Sequence, residues 1–216
     1  MWSTNEETVS QFKIKEALHM IKYCIVMMVF ILCLTPLYAQ EHTLISGEIE
    51  SGGFGGPVVK IGPMNGSTGI LFGGRGGWII NHTFSIGGAG YGLVNNIKMT
   101  DPSGLGRTLY LDFGYGGLEL EYTGGSWEVI HYTLGVLIGG GGITYRDSIN
   151  QTRYDRNVDR VFVMEPTASV ELNITTFFRI NAGVTYRWVN DVQFAGLKNS
   201  DFSGMTGMLT LKFGGF

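Results

Sequence analysis

The sequence predicts an all-β protein, an up-and-down antiparallel transmembrane β-barrel of about eight strands behind a cleaved N-terminal export signal. Three observations predict it. From residue 54 onward apolar and polar residues alternate with period two, and no long segment carries a helical period. Most alternating segments exceed the ordinary strand of about 5–6 residues and reach the roughly 9–11 that a tilted strand needs to cross a bilayer. Their connections alternate between tight turns and longer polar loops, which gathers the tight turns at one end.

Residues 1–39 are expected to form the export segment. Met20-Ile21-Lys22 is a short positive start; an apolar run from Tyr23 to Leu34 follows, and then Thr35-Pro36-Leu37-Tyr38-Ala39, the order of a secretory signal. The run is too short for a spanning helix, which needs roughly 20 apolar residues. Cleavage is expected after Ala39, with translation starting at Met20 and residues 1–19 a non-native extension. Acylation at Cys33 is disfavoured by the bulky Leu32 before it. Residues 40–53 are expected to be a short periplasmic segment, and 54–216 the barrel.

Strands are expected near 55–63, 68–80, 83–96, 108–122, 129–146, 160–174, 177–190 and 204–216. The seventh is clearest: Phe178, Ile180, Ala182, Val184, Tyr186 and Trp188 share one face, while Arg179, Asn181, Gly183, Thr185 and Arg187 share the other. The sixth repeats it, with Phe162, Met164, Ala168 and Val170 opposite Glu165, Thr167, Ser169 and Glu171. In the fourth, Leu109, Leu111, Phe113 and Tyr115 are odd, whereas Leu118, Leu120 and Tyr122 are even, so a β-bulge is expected at Gly116-Gly117. A similar slip is expected near Gly87-Gly88. The last strand ends on Phe216, yet Leu209, Leu211 and Phe213 alternate in the other phase; Phe213 and Phe216 are both candidates for a C-terminal assembly signal.

Asn81-His82, the Gly124–Ser126 region and Thr175-Thr176 read as tight turns, and 97–107, 147–159 and 191–203 as long polar loops. Only Pro63 to Thr68 is short at the loop end. On the apolar face, Trp78, Phe84, Tyr122, Tyr132 and Phe178 fall toward the short-turn end; Phe162, Tyr186 and Trp188 fall toward the loop end, as interfacial girdles would.

The opposite face is expected to hold an interior polar network of Lys60, Arg75, Asp112, Glu119, Glu121, His131, Glu165, Glu171, Arg179, Arg187 and Lys212. An eight-stranded barrel is just wide enough for such side chains to fill it, and buried charges must be paired. Hairpin spacing around Thr175-Thr176 places Glu165 opposite or diagonal to Arg187, and Glu171 near Arg179. Catalysis is not expected: His42, His82 and His131, the histidines left after cleavage, all fall toward the turn end, so no outer loop holds a base for a lipid-modifying site. The carboxylates Glu119 and Glu121 share a face at strand spacing, which basic partners explain more simply than acid–base work.

No metal or cofactor site is expected. Both cysteines, Cys24 and Cys33, lie in the export segment, and the glycine runs include no Gly-x-x-x-x-Gly-Lys loop. Asp155 to Asp159 opens like a calcium loop but has Arg160 where glycine belongs. A net charge of -3 leaves no basic stripe for nucleic acid.

The stretches Ser51–Lys60, Gly73-Gly-Arg-Gly-Gly-Trp-Ile-Ile-Asn-His82, Gly87–Val94, Gly114–Tyr122 and Leu209–Phe216 resemble a family of small glycine-rich outer-membrane barrel proteins of Bacteroidetes type. The resemblance covers nearly all of the mature chain. It implies a barrel in the bacterial outer membrane, exported by the general secretory route, and supplies no catalytic residues. The expected partners are outer-membrane lipid, lipopolysaccharide and the barrel-assembly machinery, with the protein a monomer whose three long loops are presented outside. The alternatives are a small channel, a soluble lipocalin-like carrier with its apolar face inward, and a barrel-embedded lipid-modifying enzyme.

Overall fold

The computed structural model describes residues 50–99, 108–147 and 158–216. The expected export segment, and loop residues 100–107 and 148–157, lie outside the described residues. Nine strands form one antiparallel sheet: β1 Ser51–Met64, β2 Ser67–Ile80, β3 Phe84–Leu93, β4 Ile97–Met99, β5 Leu109–Gly124, β6 Ile130–Asp147, β7 Asp159–Asn173, β8 Phe178–Asn190 and β9 Gly204–Gly215. A single helical turn, α1 Asn199–Phe202, precedes β9. β1 pairs with β9 and β3 pairs with β5, so the sheet closes on itself and leaves no free edge. Eight long strands make the wall; β4 continues the line of β3 along β5. The barrel begins at Ser51, three residues ahead of the expected 54.

Short local signals set the connections. Asn65 and Gly66 both have positive φ, 47° and 69°, the conformation that a two-residue hairpin turn requires. Asn81 and His82 follow suit at 51° and 54°. The gap between β3 and β4 is bridged by a side chain: Asn95 Oδ1 accepts from Ile70 N at 2.7 Å, and Asn95 Nδ2 donates to Thr68 O at 2.9 Å. Asn95→Ala is expected to cost roughly 1 kcal/mol, read as a lowered urea midpoint with an unchanged slope.

The expected bulge at Gly116-Gly117 is absent. Pairing runs unbroken from Leu109↔Asp147 to Gly124↔Tyr132 on one side of β5, and from Phe84↔Tyr122 to Gly92↔Gly114 on the other. The slip expected at Gly87-Gly88 is absent too. Odd positions of β5 point inward throughout, and the interior changes character instead. Toward the loop end it is apolar and aromatic, with Met64, Leu71, Ile97, Leu109, Leu111, Phe113, Val163 and Val189 buried. Toward the turn end it is ionic. A strand crossing both storeys reads as a phase change although its parity is constant.

Candidate functional site

The interior is where sequence and fold concentrate unusual chemistry. Two carboxylates organise most of it. Glu171, on β7, has Lys212 Nζ at 2.5 Å, Arg179 Nη1 at 3.2 Å and His131 Nε2 at 3.3 Å, and accepts from Asn181 Nδ2 at 3.2 Å. Glu121, on β5, takes Lys212 Nζ at 2.6 Å and Arg75 Nη2 at 2.5 Å. Arg75 Nε also lies 2.9 Å from Glu119 Oε2, an ion contact without hydrogen-bond alignment. On the lid side of Glu171, Thr133 and Ser169 share a 2.6 Å hydrogen bond and both accept from Asn181.

A second cluster sits between the storeys. Glu165 accepts from Lys60 Nζ at 2.7 Å, Tyr115 Oη at 2.8 Å and Thr185 Oγ1 at 2.5 Å, while the Lys60 ammonium lies 3.6 Å from the centre of the Tyr91 ring. Such buried charges persist because each finds several partners at once. At the turn end, a cavity of about 10 Å³ lies beside Glu121, Glu171 and Lys212, room for one water.

The other end is closed by the β8–β9 connection. Phe202 of α1 is fully buried and packs at a tilt against Phe113 with ring centres 5.1 Å apart. Arg187, also fully buried, donates from Nε to Phe202 O at 2.6 Å and from Nη2 to Pro63 O at 3.0 Å. Asn65 N donates to Asp201 O at 2.6 Å, and Asp159 Oδ2 accepts from Gln193 N and Phe194 N at 2.8 and 2.9 Å. Residues 191–203, read from sequence as a presented loop, therefore fold back as a lid. Their apolar members Val192, Phe194, Leu197 and Phe202 are the signal that was passed over.

One placement differs from the sequence reading, and the contacts of Arg187 and Phe216 resolve what it left open. Asp112 is not interior: it lies at an even position of β5, faces outward and pairs with Arg146 Nε at 3.0 Å. The register does set Glu165 opposite Arg187, between Met164↔Trp188 and Thr167↔Thr185, although the ladder is interrupted around Pro166, which has no N–H to give; the guanidinium reaches the carbonyls of Phe202 and Pro63 rather than that carboxylate. Glu171 does meet Arg179. Phe216 does not turn outward: its ring lies 3.9 Å from the Arg179 guanidinium at the interior mouth, whereas Phe213 faces out and stacks on Phe178 at 4.9 Å. The remaining interior residues, Lys60, Arg75, Glu119, Glu121, His131 and Lys212, are all buried.

The exterior is the inverse of a soluble barrel. Val59, Ile61, Phe72, Leu118, Leu120, Leu134, Ile138, Val170, Val184 and Leu209 are exposed along it. Trp78, Phe84, Tyr122, Tyr132 and Phe178 lie on this face toward the turn end, and Phe162, Tyr186 and Trp188 toward the lid. Trp127, missed from sequence because it sits in a turn, is the most exposed large apolar residue among the described residues at 79% and packs 4.4 Å from His82. A soluble carrier would expose charge and bury this surface.

Among solved structures, the outer membrane protein OprG from Pseudomonas aeruginosa superposes with a TM-score of 0.53 at 10% identity, over 76% of this chain and 95% of that one. The fold is that of the small outer-membrane β-barrels. Neisserial surface protein A gives a TM-score of 0.48 at 12% identity, covering 76% and 95% of the two chains. Ail, the attachment invasion locus protein of Yersinia pestis, gives 0.45 at 15%, covering 78% and 99%. No family model matches the chain. No curated protein matches it either.

Proposed function

We propose that the chain is a non-conducting outer-membrane barrel that holds its long-loop end at the cell surface and acts through that surface rather than by catalysis or transport. The observation that carries this is the doubly closed interior: an ionic storey paired from wall to wall, and an aromatic storey sealed by Phe202 and the Arg187 contacts. The inverted exterior supports residence in a bilayer, since apolar outward faces with aromatic ends suit hydrocarbon between two interfaces. Short connections at the end opposite the lid support the orientation with the lid outward. The exterior surface also supports contact with lipopolysaccharide, and the closed ring of strands supports a monomer inserted by the barrel-assembly machinery. The glycine-rich blocks support the Bacteroidetes-type family.

Conductance decides between this and a small channel. The full chain, refolded into planar phosphatidylcholine bilayers, is expected to give no stepwise current at either polarity. Reproducible unitary steps from the unmodified protein would overturn the reading, because they require a water column through both storeys.

A further inference from the structure

We infer that the outward wall of β3 to β7 binds one phosphorylated, acylated lipid of the outer leaflet, seating its phosphorylated headgroup on Lys98, Arg146 and Arg160 and an acyl chain in the bare hollow beneath Lys98 and Arg146 and beside Arg160. The inference rests on the outer-membrane reading above. It begins with how charge is distributed.

Among the described strand residues only four charged side chains face outward: Lys98, Asp112, Arg146 and Arg160. All four lie on the neighbouring strands β4, β5, β6 and β7, in their portions nearest the lid. Lys98 and Arg146 flank Tyr110 in one cross-strand row, so their backbones are about 10 Å apart. Arg160 faces Gly142, four residues down β6 from Arg146, a drop of roughly 13 Å. Asp112 holds Arg146 by one nitrogen, at 3.0 Å, and leaves the patch with an excess of two positive charges. Every other charged strand residue with a described side chain is at an inward position. A cationic cluster confined to the headgroup level of one wall is complementary to an anionic headgroup.

Beneath Lys98 and Arg146, and level with Arg160, lies a hollow of about 370 Å³ whose lining includes Gly92, Phe113, Gly114, Gly142, Thr144 and Val158. It continues into a wall without side chains, where Gly74, Gly90, Gly116 and Gly140 follow one another across four strands. The barrel does not require all of this bareness. An added Cβ at Gly92 would meet nothing within 4 Å, and one at Gly90 nothing nearer than 3.9 Å. Gly116 and Gly142 are tighter, with an added Cβ 2.7 Å from Ala89 O and from Val158 Cγ1, and at the inward Gly117 and Gly139 it would drive into the facing backbone. Gly90 and Gly92 could carry a side chain, yet they carry glycine beside the positive patch and, with Gly116, Gly140 and Gly142, leave a trough that a straight hydrocarbon chain fills.

The test uses the full chain refolded in phosphatidylcholine vesicles with a minor fraction of bisphosphorylated lipid A, or of the same lipid stripped of phosphate. Lipid retained per barrel after mild detergent extraction is counted by native mass spectrometry. The unmodified protein is expected to keep one phosphorylated lipid and to release the stripped form. The K98Q/R146Q/R160Q variant is expected to bind on the order of a hundredfold more weakly. Gly92→Leu is expected to lose retention with the three cations intact, because its side chain occupies the trough. Equal retention by the triple variant, or equal retention of the stripped lipid, would overturn the site. Heat-modifiability on semi-native gels keeps the two levels apart: if the unmodified protein neither enters vesicles nor shifts on boiling, the outer-membrane reading itself fails.

Discussion

Replacing Glu171 by Ala is expected to lower the free energy of unfolding by about 3–5 kcal/mol, the largest single effect in the ionic storey. Four donors converge on this carboxylate, which is almost wholly shielded from water. Without it Lys212 keeps Glu121, but Arg179 keeps only the face of Phe216. A buried cation left without its counter-charge costs far more than the pair contributed, because the desolvation penalty stays while the attraction is gone. Urea unfolding in detergent micelles, followed by tryptophan fluorescence, measures the loss. The double variant E171L/R179M is expected to be less destabilised than E171A, since it removes the orphaned cation together with the carboxylate. Arg146→Ala is the control: its partner Asp112 is at the surface and the pair is half-exposed, so the loss should be under about 1 kcal/mol. An E171A protein as stable as the unmodified chain would mean that water reaches the turn-end storey and solvates its charges.

The strand plan was legible because alternation is a local property. β8 occupies Phe178–Asn190 against an expected 177–190, and β7 occupies Asp159–Asn173 against 160–174. What misled was the assumption that one face must keep one polarity along its length. Leu109, Leu111, Phe113 and Tyr115 are interior residues of an apolar storey, and Glu119 and Glu121 are interior residues of an ionic one on the same strand. A bulge was therefore invoked where only the lumen changes. Asp112 was drawn inside by the same assumption, although its even position sets it outward beside Arg146.

Side-chain partners were legible only within a hairpin. Glu171 faces Asn181, and Arg179, two residues nearer the turn, reaches it diagonally across the same hairpin. Glu165 is held by Lys60, on β1, and Tyr115, on β5, which reach it across the lumen rather than from an adjoining strand. No spacing rule along the chain encodes a meeting in the centre of a closed sheet. The same applies to Arg187, whose partners are backbone carbonyls of Pro63 and Phe202 and so carry no sequence signal of their own.

Removing the Phe202 ring is expected to separate the two seals. Phe202→Ala should cost about 3–5 kcal/mol, because the ring is fully buried against Phe113 and its loss leaves a void in the lid-end storey. Arg187 adds to the effect indirectly, since its Nε is fixed on the carbonyl of that same residue, and a loosened α1 would leave a buried guanidinium searching for an acceptor. The variant should gain binding of an apolar fluorescent probe such as 1-anilinonaphthalene-8-sulfonate, which the unmodified lumen has no room to admit. It should nevertheless stay silent in planar bilayers, for the ionic storey of Arg75, Glu121, Glu171 and Lys212 is untouched below it. Current through Phe202→Ala alone would mean that the lid is the sole gate and that the ionic storey already carries a continuous file of water. Probe binding without current places the two closures in series, each sufficient by itself to keep the barrel shut.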